Sequence, residues 1–111
     1  MRRYSGADTD GGDAMFLVLL TYTVDLAEID AALPEHVAWL DRQYADGVFV
    51  ASGRRRPRTG GFIAATGVDE AELRARLAED PFSRRGYADY AVHEIEVSRV
   101  ASGLDALMAG A

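Results

Sequence analysis

The chain has 111 residues, the size of one domain, with 49% hydrophobic and 27% charged residues, as in ordinary soluble proteins. It has no cysteine, only two histidines, and arginine as its sole basic residue type, which excludes disulfides, thiolate sites and Schiff-base lysines and leaves little for an imidazole metal site. A net charge of −6 argues against nucleic-acid binding, and no apolar run reaches the roughly 20 residues that span a bilayer. We therefore predict a cytoplasmic domain that uses no metal or other cofactor and binds neither nucleic acid nor membrane.

The predicted domain occupies residues 15–98. Residues 1–14 are rich in glycine and aspartate and lack an apolar stretch, so they are predicted to be a flexible leader rather than a signal peptide. Residues 99–111 are predicted to be a C-terminal tail with weak helical character. Residues 15–23, MFLVLLTYT, are apolar on both alternating faces, which is typical of a central strand that is covered on both sides.

A helix is predicted to follow this strand. Asp25 and Asp30 are candidate caps, Pro34 suits a first helical turn, and the helix should run to about Ala45 and stop at Gly47. At 100° per residue, an apolar stripe forms with His36 at its margin, beside Trp39 and Gln43. We expect this stripe to face the sheet; its members are Leu33, His36, Val37, Leu40 and Tyr44.

The second half of the chain predicts two strands, a helix, a short helical turn and a last strand. Strands are expected at 48–52 and 62–66, joined by the basic loop 53–60, GRRRPRTG. Asp69 and Glu72 form a capping-box pattern for a helix to about Glu79, and Asp80 can cap a turn that begins at Pro81. The polar segment 87–97 is predicted to be an edge strand.

The resulting order, βαββαβ, predicts an α+β fold with a four-stranded antiparallel sheet and two helices on one face. The opposite face would then be bare, although the strands at 15–23 and 62–66 are apolar on both sides. An exposed apolar sheet face would be unusually large for a monomer. We therefore predict a homodimer whose bare sheet faces pack together.

His36 and Asp80 are the leading candidates for catalysis. A partly buried imidazole can act as a general base or acid near neutral pH, and a carboxylate can orient it and stabilise its cation. Each residue also has a structural interpretation. His36 could bond a backbone carbonyl at the core edge, and Asp80 could serve only as a helix cap.

Three further residues are candidates for substrate binding. Ser52 precedes a glycine turn, where its hydroxyl could bond a substrate oxygen or the turn itself. Arg54 and Arg58 belong to the basic loop and could pair with a carboxylate, or the loop could simply be solvated. His93 is predicted to have a structural or surface role. Four aromatic side chains could line a pocket or simply fill the core: Trp39, Phe82, Tyr87 and Tyr90.

Several segments together resemble one known family. They are MFLVLLTYT, LPEHVAWLDRQYADGVFVASG, TGGFIAAT and AEDPFSRRGYADYAVHEIEV. They place in order a histidine on the first helix, then Ala-Ser-Gly, Asp-Pro-Phe and Gly-x-x-x-Tyr. From Met15 to about Val97 the chain thus resembles the YciI-like (YCII-related) family. It departs from the family pattern in having Arg54 directly after Ser-Gly, where proline is common, with proline delayed to Pro57.

The resemblance implies a ferredoxin-like fold that dimerises through its sheets into a dimeric α+β barrel. It also implies a histidine–aspartate pair in a cleft between helices and sheet, at positions that match His36 and Asp80, with Ser52 nearby. The favoured hypothesis is a cofactor-independent lyase or isomerase that transfers a proton on a small organic acid. The alternative is a non-catalytic metabolite-binding or regulatory dimer. A metal or haem site on His36 is a third hypothesis, poorly supplied with ligands.

Overall fold

The computed structural model describes residues 15–108, so the predicted leader 1–14 and residues 109–111 of the predicted tail lie outside the described residues. The described tail contains one 3-10 turn, Asp105–Leu107. The regular elements are β1 (Met15–Tyr22), α1 (Leu26–Ala45), β2 (Phe49–Arg54), β3 (Gly60–Thr66), α2 (Glu70–Leu77), α3 (Pro81–Arg84) and β4 (Ala88–Ile95).

The four strands form one sheet in the order β2-β3-β1-β4, with every neighbouring pair antiparallel. This confirms the predicted α+β, ferredoxin-like fold, with β1 in the centre and β4 at an edge. Phe16, Val18 and Leu20 of β1 are buried, and they share one cluster with side chains of α1 and α2. The helices therefore cover this face of the sheet.

Two glycines at the start of β3 allow the backbones of three strands to approach closely. A Cβ atom at Gly60 would lie 1.8 Å from the carbonyl oxygen of Leu20, and one at Gly61 would lie 2.6 Å from that of Gly53. Any side chain at these positions would force the strands apart. This end of the sheet forms one wall of the cavity described below.

The helix α1 differs from its prediction in two respects. It begins at Leu26, the earlier of the two expected starts, so Pro34 lies inside the helix. The side chains it buries are Ile29, Ala32, Trp39 and Gln43, whereas Val37 and Tyr44 of the predicted stripe are 44% and 40% exposed. The predicted stripe is therefore only partly buried, and α1 is rotated so that Trp39 rather than Val37 or Tyr44 packs into the core.

Trp39 explains this rotation of α1. It is the largest fully buried side chain, and its indole Nε1 donates to the backbone oxygen of Arg76 in α2 at 3.0 Å. The Arg76 guanidinium in turn donates to Gln43 and to Asp46, both at 2.8 Å. Burying Trp39 with its indole N–H hydrogen-bonded stabilises the fold more than burying Val37 and the ring of Tyr44 would. The rotation leaves His36 at the boundary between the core and the cavity.

Both predicted caps of the later helices form. Asp69 accepts a hydrogen bond from the backbone N–H of Glu72, and Asp80 accepts one from that of Phe82 at 3.1 Å. The Asp80 cap places its carboxylate at the start of α3, the short helix packed against α1. Within residues 15–108, no helix is long and apolar enough to cross a membrane.

Candidate active site

His36 and Asp80, 44 residues apart in the sequence, are in direct contact. The Nδ1 atom of His36 on α1 lies 2.8 Å from Oδ1 of Asp80 at the start of α3. The Asp80 side chain is fully buried, while the His36 side chain retains 12% exposure. The pair therefore joins a buried carboxylate to an imidazole that still reaches the surface of a cavity.

Within residues 15–108, the Asp80 carboxylate hydrogen-bonds three partners. Oδ1 hydrogen-bonds Nδ1 of the His36 ring and accepts a hydrogen bond from the backbone N–H of Phe82. Oδ2 hydrogen-bonds the hydroxyl of Tyr90 on β4. A backbone N–H can only donate, so the carboxylate acts as an acceptor here. A buried charge is tolerated when its oxygens are hydrogen-bonded in this way.

The His36 ring is fixed in orientation by aromatic neighbours. It stacks on Phe82, with ring centroids 4.1 Å apart and planes inclined by 7°, and its centroid lies 5.6 Å from that of Trp39. Because Nδ1 faces a carboxylate, the neutral ring carries its proton there, which leaves the lone pair on Nε2. No hydrogen bond to Nε2 is found within residues 15–108. A neutral imidazole in this tautomer can accept a proton through Nε2.

A cavity of about 200 Å³ opens beside the His36 ring. It is smaller than the roughly 300–1,000 Å³ typical of drug-sized ligand sites, so it suits a small metabolite. Most of its wall is apolar, and the polar side chains on it are His36, Tyr22, Ser52 and Arg54. A base, hydroxyl donors and one cation thus surround a largely apolar space.

The structure places two of the three predicted substrate-binding residues on this cavity. Ser52 and Arg54 line it from β2, whereas Arg58 is absent from its wall and pairs with Asp30 of α1. The hydrogen bond from Arg58 holds the pKa of Asp30 below its ordinary value of 3.8. Arg58 is therefore engaged at the rim of the fold rather than inside the cavity.

Two tyrosines at the site make contacts that the sequence does not predict. The sequence marks Tyr90 only as a pocket or core aromatic, yet its hydroxyl contacts Asp80. Tyr44 was placed on the apolar stripe, but its hydroxyl lies 2.7 Å from Oγ of Ser52. Strand alternation places Tyr90 on the helix-covered face, but no sequence signal links it to a residue on another element.

Most of the remaining predicted features lie away from the cavity. His93 on β4 is exposed and pairs across the sheet with Leu17, on the face opposite the helices. Phe82 lines the cavity, whereas Trp39, Tyr87 and Tyr90 do not. Within the described residues, no group of three or more side chains has the composition and spacing to hold a metal ion.

This fold, a four-stranded antiparallel sheet with helices on one face and a cavity between the layers, defines a ferredoxin-like α+β domain. The chain matches the YCII-related domain over residues 15–96 and belongs to that family. The match includes every element that contributes to the cavity. No curated protein matches the chain significantly.

Solved structures of similar fold include two enzymes. The 5-chloro-2-hydroxyhydroquinone dehydrochlorinase TftG from Burkholderia phenoliruptrix AC1100, in complex with 2,5-dihydroxybenzoquinone, has a TM-score of 0.65 and 17% identity; the alignment covers 76% of this chain and 95% of TftG. The cofactor-independent oxygenase SnoaB from Streptomyces nogalater has a TM-score of 0.48 and 19% identity, covering 81% and 96% of the two chains.

Proposed function

We propose that this protein is a small-molecule enzyme in which His36 transfers a proton on a small organic acid, as a lyase or isomerase. The observation that carries the proposal is the His36–Asp80 contact, in which a buried carboxylate holds Nδ1 of an imidazole whose ring lines a cavity. This is the geometry of an oriented general base. No cofactor is needed for this chemistry.

In the proposed reaction, Nε2 of His36 removes a proton from the substrate, and Asp80 stabilises the resulting imidazolium without taking the proton itself. In an elimination, the C–H electron pair forms a new double bond and the leaving group departs with its own bonding pair. In an isomerisation, the imidazolium returns the proton to a different atom. Either reaction is balanced without an oxidant or a metal.

Ser52 and Arg54 are the proposed substrate-binding residues, because both line the cavity from the opposite wall. Arginine pairs with carboxylate or enolate oxygens, and the Ser52 hydroxyl can donate to a second oxygen. A Tyr44 hydroxyl that donates to Ser52 Oγ leaves the serine proton available for substrate. Arg58 can join this set only by leaving Asp30.

The comparison with TftG is consistent with this chemistry. That protein is a dehydrochlorinase, and removal of HCl couples loss of a proton to loss of chloride. Its ligand is a single-ring quinone, and the cavity of the present chain suits a compound of similar size.

The test begins with a metabolite library screened for thermal stabilisation, followed by mass detection of products. On any substrate found, His36→Gln should lower turnover by about 10²–10⁴, the usual contribution of a positioned general base. His93→Gln is the matched control, because it replaces the other histidine on the opposite face and should retain turnover. Turnover of His36→Gln within about threefold of wild type would contradict the proposal. A ligand that stabilises the protein but is recovered unchanged would instead indicate a binding module.

A further inference from the structure

We propose that Tyr90 is a positioning residue that holds the Asp80 carboxylate and moderates its pull on the His36 imidazolium. Its importance for turnover rests on the function proposed above. Tyr90 does not line the cavity, so it would act through Asp80 rather than on the substrate.

The two oxygens of the Asp80 carboxylate have different hydrogen-bond partners. Tyr90 lies on β4 opposite Leu20 of β1, on the sheet face covered by the helices. Its hydroxyl contacts Oδ2 of Asp80, the oxygen that neither His36 nor the Phe82 backbone uses. Tyr90 is therefore the only side chain within residues 15–108 that hydrogen-bonds this oxygen.

The direction of the Tyr90 hydrogen bond is fixed. Burial, reinforced by the negative charge of Asp80, raises the pKa of Tyr90 far above its ordinary value of 10.0. The phenol therefore keeps its proton and donates to the carboxylate, which can only accept. A donor on Oδ2 disperses the negative charge of Asp80, which weakens the attraction between that charge and a protonated His36.

Few other titratable or charged side chains of the described residues lie near His36. On the cavity wall, Tyr22 comes from β1 and Arg54 from β2. On the outer surface, Glu35 precedes His36 on α1 and is paired with Arg85, which follows α3, at 2.6 Å. These groups stay unchanged when the Tyr90 hydroxyl is removed, so a shift in the His36 titration can be assigned to the Asp80 contact.

The experiment compares NMR titrations of the two histidines in the full-length wild type and in Tyr90→Phe. Removing the hydroxyl while keeping the ring should move the His36 titration midpoint to higher pH by roughly 0.5 to 1 unit, because Asp80 then attracts the imidazolium more strongly. His93 should titrate unchanged and serves as an internal reference. Tyr87→Phe is the matched control, since the Tyr87 hydroxyl contacts Glu28 at 3.2 Å, away from Asp80.

An unchanged or lowered His36 midpoint in Tyr90→Phe would overturn the inference, as would an equal shift in Tyr87→Phe. A second measurement needs only the wild type. With the tyrosine ring carbon Cζ labelled, Tyr90 should show no ionisation up to pH 11; a midpoint near 10 would also overturn it. Neither measurement needs a substrate. The Tyr90 role can therefore fail while His36 is shown to be catalytic, and it can stand when His36→Gln retains turnover.

Discussion

Asp80 shows how one side chain can meet two structural demands. As the cap of α3, it accepts a hydrogen bond from the Phe82 backbone N–H. The same oxygen, Oδ1, hydrogen-bonds Nδ1 of His36. The two interpretations that the sequence left open are therefore compatible in geometry. The short helix α3 also supplies Phe82, on which the imidazole stacks. A single Asp-Pro-Phe segment thus carries both the partner of His36 and the surface that fixes its ring.

Replacing Asp80 in two ways should separate its cap from its contact with His36. Asparagine caps a helix about as well as aspartate, whereas alanine costs typically about 1 kcal/mol. Asp80→Asn can keep its side-chain oxygen on the Phe82 N–H and so keep the α3 cap, but it presents no negative charge to stabilise the His36 imidazolium. We expect turnover to fall by roughly 10²-fold or more, because the charged form of the base then lacks its counter-charge. Asp80→Ala should in addition unfold more readily in chemical denaturation.

The double variant provides the internal control for this prediction. If His36 and Asp80 act as a unit, His36→Gln combined with Asp80→Asn should lose little more turnover than the worse single variant. Steady-state kinetics on the identified substrate measure this. Fully multiplicative losses would show that the two residues act independently, contrary to the geometry of one base and its orienting partner.

At the scale of elements, sequence patterning predicted the sheet better than the helix α1. Strand alternation and turn residues located all four strands, because a two-residue period survives small errors in the ends. The orientation of α1 could not be predicted from apolarity alone. Its rotation is set by Trp39 and Arg76, which belong to different helices and meet only in the folded chain. Pro34 was expected near a helix start but lies inside, because burial of Ile29 and Ala32 extends the helix toward β1.

The sequence predicted several of the residues that belong to the candidate site, because residue types and their order along the chain carry that information. The resemblance singled out His36, Asp80 and Ser52, and the structure brings the first two into contact and places His36 and Ser52 on one cavity. Hydrogen bonds between distant elements were beyond reach, since the Tyr90 and Tyr44 hydroxyls find their partners only through tertiary packing. The apolar stripe of α1 remains informative in another sense, because Leu33, His36, Val37 and Leu40 line the cavity.

The link between the basic loop and α1 should depend on pH. The pKa of Asp30 is lowered in the folded protein by its hydrogen bond from Arg58. The contact therefore stabilises the fold above the unfolded value near 3.8, and this contribution is lost as the pH falls through the lower folded value. Asp30→Asn should lower the melting temperature slightly at pH 6, with the difference shrinking as the pH falls below 3.8.

The salt dependence provides a check on the Asp30 prediction. Because this ion pair is exposed, high salt should reduce the difference between wild type and Asp30→Asn at pH 6. A difference that persists unchanged in acid and in salt would indicate a packing effect instead. Asp30→Asn also removes the partner of Arg58. A lower KM for an acidic substrate in this variant would show that Arg58 can turn toward the cavity.

At the scale of the whole molecule, the two faces of the sheet differ in their cover. The helices bury one face, while Met15, Leu17 and Leu19 of β1 on the other face are half-buried. Their neighbours on the adjacent strands are mostly apolar and include Phe62, Ala64 and Ala91. His93 is a polar neighbour on the same face. An apolar face of this kind is what a second copy would cover, and we propose a two-fold homodimer through it.

A charge at the centre of the open face should test the proposed dimer. Leu17 lies at the middle of β1, the central strand, so Leu17→Glu would bring two carboxylates toward each other across a two-fold interface and bury them. Sedimentation should show a dimer for the wild type and a monomer for Leu17→Glu, with unchanged circular dichroism. Leu26→Glu is the matched control, because Leu26 is an exposed leucine that begins α1 on the helix layer, and this variant should stay dimeric. A wild type that sediments as a monomer at micromolar concentration would rule out the dimer, and the half-buried face would then need another cover.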